Sequence, residues 1–149
     1  MTRISLTKTF PNIYHQLKSL NDEVDKSALS AGIDEGLCHL LKLRISQING
    51  CAYCVRLHTR DALQCNESID KIALLAAWQE TAYFTDKERA ALLLVESITT
   101  IQHDHIPDPV YQQAAELWDE PQIAAIEWLA IMMNTLNRLG IASRYLVAP

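Results

Sequence analysis

Cys51 and Cys54 are separated by two residues, and His58 follows the second cysteine at the fourth position. All three lie within HLLKLRISQINGCAYCVRLHTRDA, from His39 to Ala62. On a helix, positions i, i+3 and i+7 fall within an arc of about 60°. Two sulfurs and an imidazole therefore meet without help from distant sequence. Asn49-Gly50 is a turn signal, so a helix starts near Cys51 and both cysteines sit in its first turn. Free N–H groups and the positive end of the helix dipole favour a thiolate there, and such cysteines reach pKa values of ~3.5–7.5 instead of about 8.5. A histidine one turn on can take or return a proton. A thiolate beside a second thiol is the arrangement that reduces a peroxide: one sulfur becomes a sulfenic acid and the other condenses with it to a disulfide.

Other chemistry uses the same residues. Zinc sites share the C-x-x-C spacing, and His39 or Cys38 would supply a further ligand if the preceding helix packs alongside. A purely structural buried cysteine pair is a third reading. Haem attachment requires a histidine directly after the second cysteine, where this chain has Val55. Cys38 and Cys65 read as small core residues. His103 and His105 flank Asp104 at a helix end, where favourable charge explains them better than a metal does.

The elements that must position these groups are helical. The chain has 149 residues, 49% hydrophobic and 21% charged, with four glycines and five prolines. This suits one domain with one core, spanning 1–149. Net charge is −5, which argues against nucleic acid and anionic membrane as partners. No apolar run reaches the ~18 residues of a membrane span, and the N-terminus has no secretory signal core. The expected location is cytosolic, where a close cysteine pair points to catalysis or metal binding over a permanent cross-link.

Helical spacing dominates and no stretch alternates over strand length. Residues 1–10 read as an extended arm. Pro11 opens a helix that the polar stretch NDEVDKSALSAG is expected to break before Gly32. Asp34 caps a helix to about Gln47, with Leu37, Leu40, Leu41, Leu43, Ile45 and Ile48 inward. The cysteine helix runs to about Gln64, and Asn66 or Ser68 opens the next, to Trp78. Thr85 with Glu88 forms a capping box before a helix through Ile101. HDHIPDP breaks it. A helix over Val110–Leu117 follows, and Pro121 starts a long apolar one ended by Gly140, with a last turn in 141–146. The result is an all-α fold of about seven or eight helices. IAAIEWLAIMM is apolar on more than one face, which predicts self-association.

The run KLRISQINGCAYCVRLHTRDAL, Lys42 to Leu63, resembles the core motif of the alkyl hydroperoxidase D (AhpD)-like proteins of the carboxymuconolactone decarboxylase superfamily. Trp78–Thr99 and Asn134–Arg144 are similar to flanking segments of its shorter, single-domain members. The resemblance implies an all-helical fold assembling into homo-trimers or homo-hexamers. It implies reduction of an organic hydroperoxide at the cysteine pair, without a cofactor or metal, with electrons from a dithiol such as a lipoyl group or a thioredoxin-like protein. It makes Cys54 the peroxidatic cysteine, Cys51 its resolving partner and His58 the relay histidine. Where the family's peroxidases carry a glutamate, twelve residues before the first cysteine, this chain has His39, which can pass a proton near neutral pH. Glu35, one turn earlier, is expected to orient it.

Three alternatives use the same residues: a redox-sensing or disulfide-exchange protein without peroxide turnover, a decarboxylase-like enzyme using His39 and His58, and a zinc-stabilised domain. The cysteine pair, generally absent from the decarboxylase branch, argues against lactone decarboxylation. Trp78, Tyr83, Phe84 and Trp128 could line a pocket for the hydroperoxide, although core packing is the ordinary role of such residues.

Overall fold

The computed structural model describes residues 3–149. Among these residues there are nine α-helices, one 3₁₀ segment and no strand. Residues 1–2 of the expected extended arm lie outside the described residues, and much of the rest is not extended: Leu6–Thr9 form a one-turn helix, α1.

The helix α2 (Pro11–Ser30) continues through the polar stretch expected to break it. Its Val24 and Ala28 are buried, so one stripe still packs on the core while the charged residues face outward. The chain leaves α2 through Gly32 at φ 84°. Asp34 then caps α3 (Glu35–Asn49), accepting from the Leu37 N–H at 3.2 Å. This helix is the centre of the molecule. Leu40, Leu41, Leu43 and Ile45 are fully buried, and α3 packs against α4 (Ala52–Gln64), α6 (Asp86–Thr99) and α9 (Glu120–Ala142). Burial of each such side chain is worth roughly 1.5–3 kcal/mol. Of the six residues expected to face inward, only Ile48 is half-buried.

The turn between α3 and α4 sets the geometry that matters. Gly50 takes the left-handed conformation, φ 70° and ψ 30°. Its N–H donates to Gln47 O at 3.2 Å, and that of Cys51 donates to Ser46 O at 3.0 Å. This is the paired bonding of a Schellman ending. Cys51 simultaneously occupies the N-cap position of α4, so two residues reverse the chain into a tight helical hairpin. In such a hairpin, residues equidistant from the turn face each other. His39 on α3 therefore meets the far half of α4.

Elsewhere Ser68 caps α5 (Ile69–Ala73), but the expected single helix to Trp78 breaks into a 3₁₀ segment, Leu75–Glu80, with a non-helical Ala77. The Thr85–Glu88 capping box is present. The helix it opens stops at Thr99, and a short α7 (Ile101–Asp104) precedes α8 (Asp108–Leu117). Gly140 does not end α9: it lies inside it, where an added Cβ would stand 3.4 Å from Cys51 Sγ. The glycine is a point of close approach between α9 and the cysteine turn. No helix among the described residues is long and apolar enough to cross a membrane.

Candidate functional site

Cys51, Cys54 and His58 occupy one face of α4 and are all buried. The four cysteines are free thiols. The Cys54 thiol lies within hydrogen-bonding reach of Cys51 and opens, with His58 and His39, onto a cavity of about 410 Å³. Tyr53, Leu57, Met132, Met133 and Leu136 give the cavity apolar walls. Cys51 lines a shallow groove beside Gly140 and Tyr145. The cavity and this groove adjoin, sharing Tyr53, Gly140 and Tyr145 in their walls. The cavity's aromatic residues are Tyr14, Tyr53 and Tyr145. Of those considered from sequence, Trp78 and Phe84 are buried in the core, and Tyr83 and Trp128 are exposed outside this cavity.

The helix start does not make Cys54 acidic in this structure. Burial, reinforced by the neighbouring Cys51, pushes its thiol up to about 12. The Asn137 side chain and the backbone N–H of Cys54 favour the thiolate, as expected at a helix start, but are outweighed. Removing a charge from water is the larger effect. Cys38 is likewise pushed up to about 12 by burial. Cys65, expected in the core, is only half-buried near the end of α4.

His39 and His58 stack, ring centroids 5.7 Å apart and planes at 27°. Burial pushes His58 down to about 3, with Lys42 and His39 adding to the effect. His39 is lowered by burial and by Lys42, against the pull of Asp61, Glu35 and Asp25. Both imidazoles are therefore neutral near pH 7. Between them stands Asp61, whose Oδ2 is 3.4 Å from His58 Nδ1 and 3.7 Å from His39 Nδ1. Neither contact closes a hydrogen bond, and both Nδ1 atoms are buried without a partner. Among the described residues Glu35 makes no hydrogen bond to His39, so the orienting contact expected of it is not formed. Asp61 was missed from sequence, yet it continues the 51, 54, 58 series at i+10, one heptad beyond Cys54.

A second group that sequence reasoning missed anchors the cysteine turn. Asn137 on α9 is fully buried. It donates to Ser46 Oγ at 3.0 Å, and its Oδ1 accepts from Asn49 Nδ2 at 2.9 Å. Ser46 Oγ in turn donates to Lys42 O at 2.7 Å, and the buried Lys42 pairs with Asp25 of α2. The signal was an asparagine pair, Asn134 and Asn137, inside a largely apolar helix. A polar side chain retained there needs partners in the core.

Comparison with known proteins agrees with this architecture. The carboxymuconolactone decarboxylase family profile matches residues 11–97. The uncharacterised protein YdfG of Bacillus subtilis is 36% identical over 120 residues, covering 80% of this chain and 82% of its own length. YnjA of Escherichia coli, also uncharacterised, is 24% identical over 110 residues, 74% of this chain and 60% of its own. The crystal structure of a protein of unknown function from Agrobacterium tumefaciens, for which an antioxidant-defence role as an AhpD has been suggested, superposes with a TM-score of 0.91. It is 30% identical, and the match covers 100% of this chain and 99% of that one. The apo debrominase Bmp8 shares the fold at a TM-score of 0.69 and 20% identity, over 76% of this chain and 60% of its own. The all-helical hairpin architecture, the matched segment and these relatives together establish that the chain belongs to the carboxymuconolactone decarboxylase family, among its AhpD-like members.

Proposed function

We propose that the chain is a thiol-dependent peroxidase that reduces organic hydroperoxides, with Cys54 as the attacking sulfur. The observation that carries this reading is the meeting of Cys54 and His58 at one partly open, mostly apolar cavity, with Cys51 within reach. An organic hydroperoxide enters with its carbon portion against Met132, Met133 and Leu136. As Cys54 Sγ attacks the terminal oxygen, the thiol proton passes by way of His58 to the departing oxygen. The O–O bond breaks, giving an alcohol and a Cys54 sulfenic acid. Cys51 Sγ then attacks that sulfur, water leaves, and the disulfide closes. A dithiol of the lipoyl or thioredoxin-like class restores both thiols by exchange and leaves as its own disulfide. His39 and Asp61 position His58 rather than touch the substrate.

The high thiol pKa fits a gated nucleophile: a proton acceptor must be aligned at the moment of attack, because free thiolate is scarce at rest. The same burial also favours a second reading, a redox-responsive pair that oxidises once without turnover. Both belong in a reducing compartment such as the cytosol. Exposed Trp128 and Ile131 on α9 offer apolar surface for the trimeric or hexameric assembly that forms part of this proposal.

One experiment separates the readings. Cumene hydroperoxide is supplied with excess dithiol, and the alcohol formed per chain is counted. Many equivalents, lost in Cys54→Ser, support the peroxidase. A single equivalent supports the redox-responsive pair, and turnover persisting in Cys54→Ser removes both.

A further inference from the structure

We propose that His39, His58 and Asp61 form a binding site for one divalent transition-metal ion of the zinc class, with a fourth position open to the cavity. The zinc alternative drawn from the sequence joins the two cysteines to His39 or Cys38; this site keeps His39 but uses neither sulfur.

The spacing is the first argument. Zinc binds imidazole nitrogen and carboxylate oxygen at about 2.0–2.2 Å, so neighbouring ligands of a tetrahedral ion stand about 3.4 Å apart. Asp61 Oδ2 lies 3.4 Å from His58 Nδ1 and 3.7 Å from His39 Nδ1, and the ligand atoms of all three residues fall within 4.8 Å of one another. Small side-chain rotations close the set. Three protein ligands with one open position is the pattern of zinc sites that hold water or substrate.

Unmet demand is the second. His58 is 7% exposed, and its Nδ1, like that of His39, is buried with no hydrogen-bond partner. Such orphaned polar atoms are rare because desolvation without a partner costs about 1–3 kcal/mol. Two unpartnered ring nitrogens converging on one carboxylate is an arrangement that a single cation satisfies. The third argument is charge. Around the cavity, Lys18 pairs with Asp22 and Lys42 with Asp25. Among the described residues, Asp61 has only the two imidazoles. One negative charge is left, at the position the ion would take. A second trio, Glu35, His39 and Cys65, also has ligand-like spacing. It is more open to solvent and shares His39, so the two compete for one imidazole.

This inference does not rest on peroxide turnover, and its test contains no peroxide. A bound ion would occupy the His58 neighbourhood that the thiol chemistry uses, so metal-loaded and peroxide-reducing states exclude each other. Reduced full-length protein is titrated with zinc chloride by calorimetry and with cobalt(II) by visible absorption. One ion per chain is expected, retained in Cys51→Ser/Cys54→Ser and in Cys65→Ser. Loss of a direct ligand should exceed the ~10–100-fold that loss of an outer partner costs, so Asp61→Asn and His58→Gln are expected to weaken binding more than about 100-fold. Thermal melting establishes that each variant is folded; if His58→Gln is not, Asp61→Asn decides alone. The assignment is overturned by no binding to wild type, by full-strength binding to Asp61→Asn, or by a sulfur-to-cobalt charge-transfer band that disappears with Cys51 and Cys54.

Discussion

At the turn between α3 and α4 the buried polar groups are closed into pairs. Asn49, Asn137, Ser46 and the Lys42 carbonyl form a continuous chain of hydrogen bonds behind the cysteines. Two turns along α4 the pattern reverses: His39 and His58 keep unpartnered Nδ1 atoms around a carboxylate that bonds to neither. Both regions are buried and both draw on the same helical hairpin, so burial alone does not separate them. The satisfied end is a fixed support, its side chains bonded to one another between α3 and α9. The unsatisfied end has capacity in reserve, for a proton in transit or for a cation. On the proposed mechanism, the two tasks of holding the sulfurs still and leaving the imidazoles available are divided along one helix.

The comparison can be broken first at the sulfurs. Cys54→Ser is expected to bring hydroperoxide turnover to background, while Cys51→Ser leaves one equivalent of alcohol and a sulfenic acid trapped by a carbon nucleophile. Next comes the open end. His58→Gln is expected to lower turnover by about 10²–10⁴-fold, the range of a lost proton-transfer group, with little change in the amount of disulfide a strong thiol oxidant can form. The closed end should behave differently. Asn137→Ala removes two hydrogen bonds from the core, although Asn49 keeps Asn134 Oδ1 and Ser46 keeps the Lys42 carbonyl, and a destabilisation of about 1–3 kcal/mol is expected in denaturant melts.

Acid sharpens the contrast. His58 has its folded pKa lowered to about 3 against an ordinary 6.5, so the unfolded chain takes up the proton first. The stability held by the neutral imidazole is complete above about 6.5 and falls as pH drops toward 3. Melting temperature should decline across that interval in wild type and less steeply in His58→Gln. The smallest effect belongs to Gly140→Ala. The roughly 1 kcal/mol gained in helix propensity is opposed by contact with Cys51 Sγ at 3.4 Å, so the net change in stability should stay below about 1 kcal/mol.

Much of the hairpin was legible in advance. Asn49-Gly50, the Asp34 cap and the i, i+3, i+7 series are local signals, and local signals decided that part of the chain. The failures share a cause. The polar stretch of α2 was expected to break because its charges look outward, but Val24 and Ala28 suffice to hold the stripe. Gly140 was read as a stop because its contact, Cys51, lies far away in sequence. The acidity expected of Cys54 failed for the same reason: helix-start electrostatics are local, whereas desolvation comes from α9 and the cavity walls. Asp61 was within reach, one heptad on from Cys54. Asn137 could be singled out as an anomaly in an apolar helix, but not paired with Ser46 and Asn49 without the fold.

The reversal at Gly50 carries one more consequence. An extra residue inserted there would leave Cys51 and Cys54 on the same helix as His58, with their spacing untouched. Taken up into α3 as helix, it would slide α3 against α4 by about 1.5 Å and about 100° of rotation, turning His39 away from Asp61. The sulfurs are indexed to their own helix, but the second imidazole is indexed to loop length, so a single insertion would disconnect half the machinery without altering any of its parts.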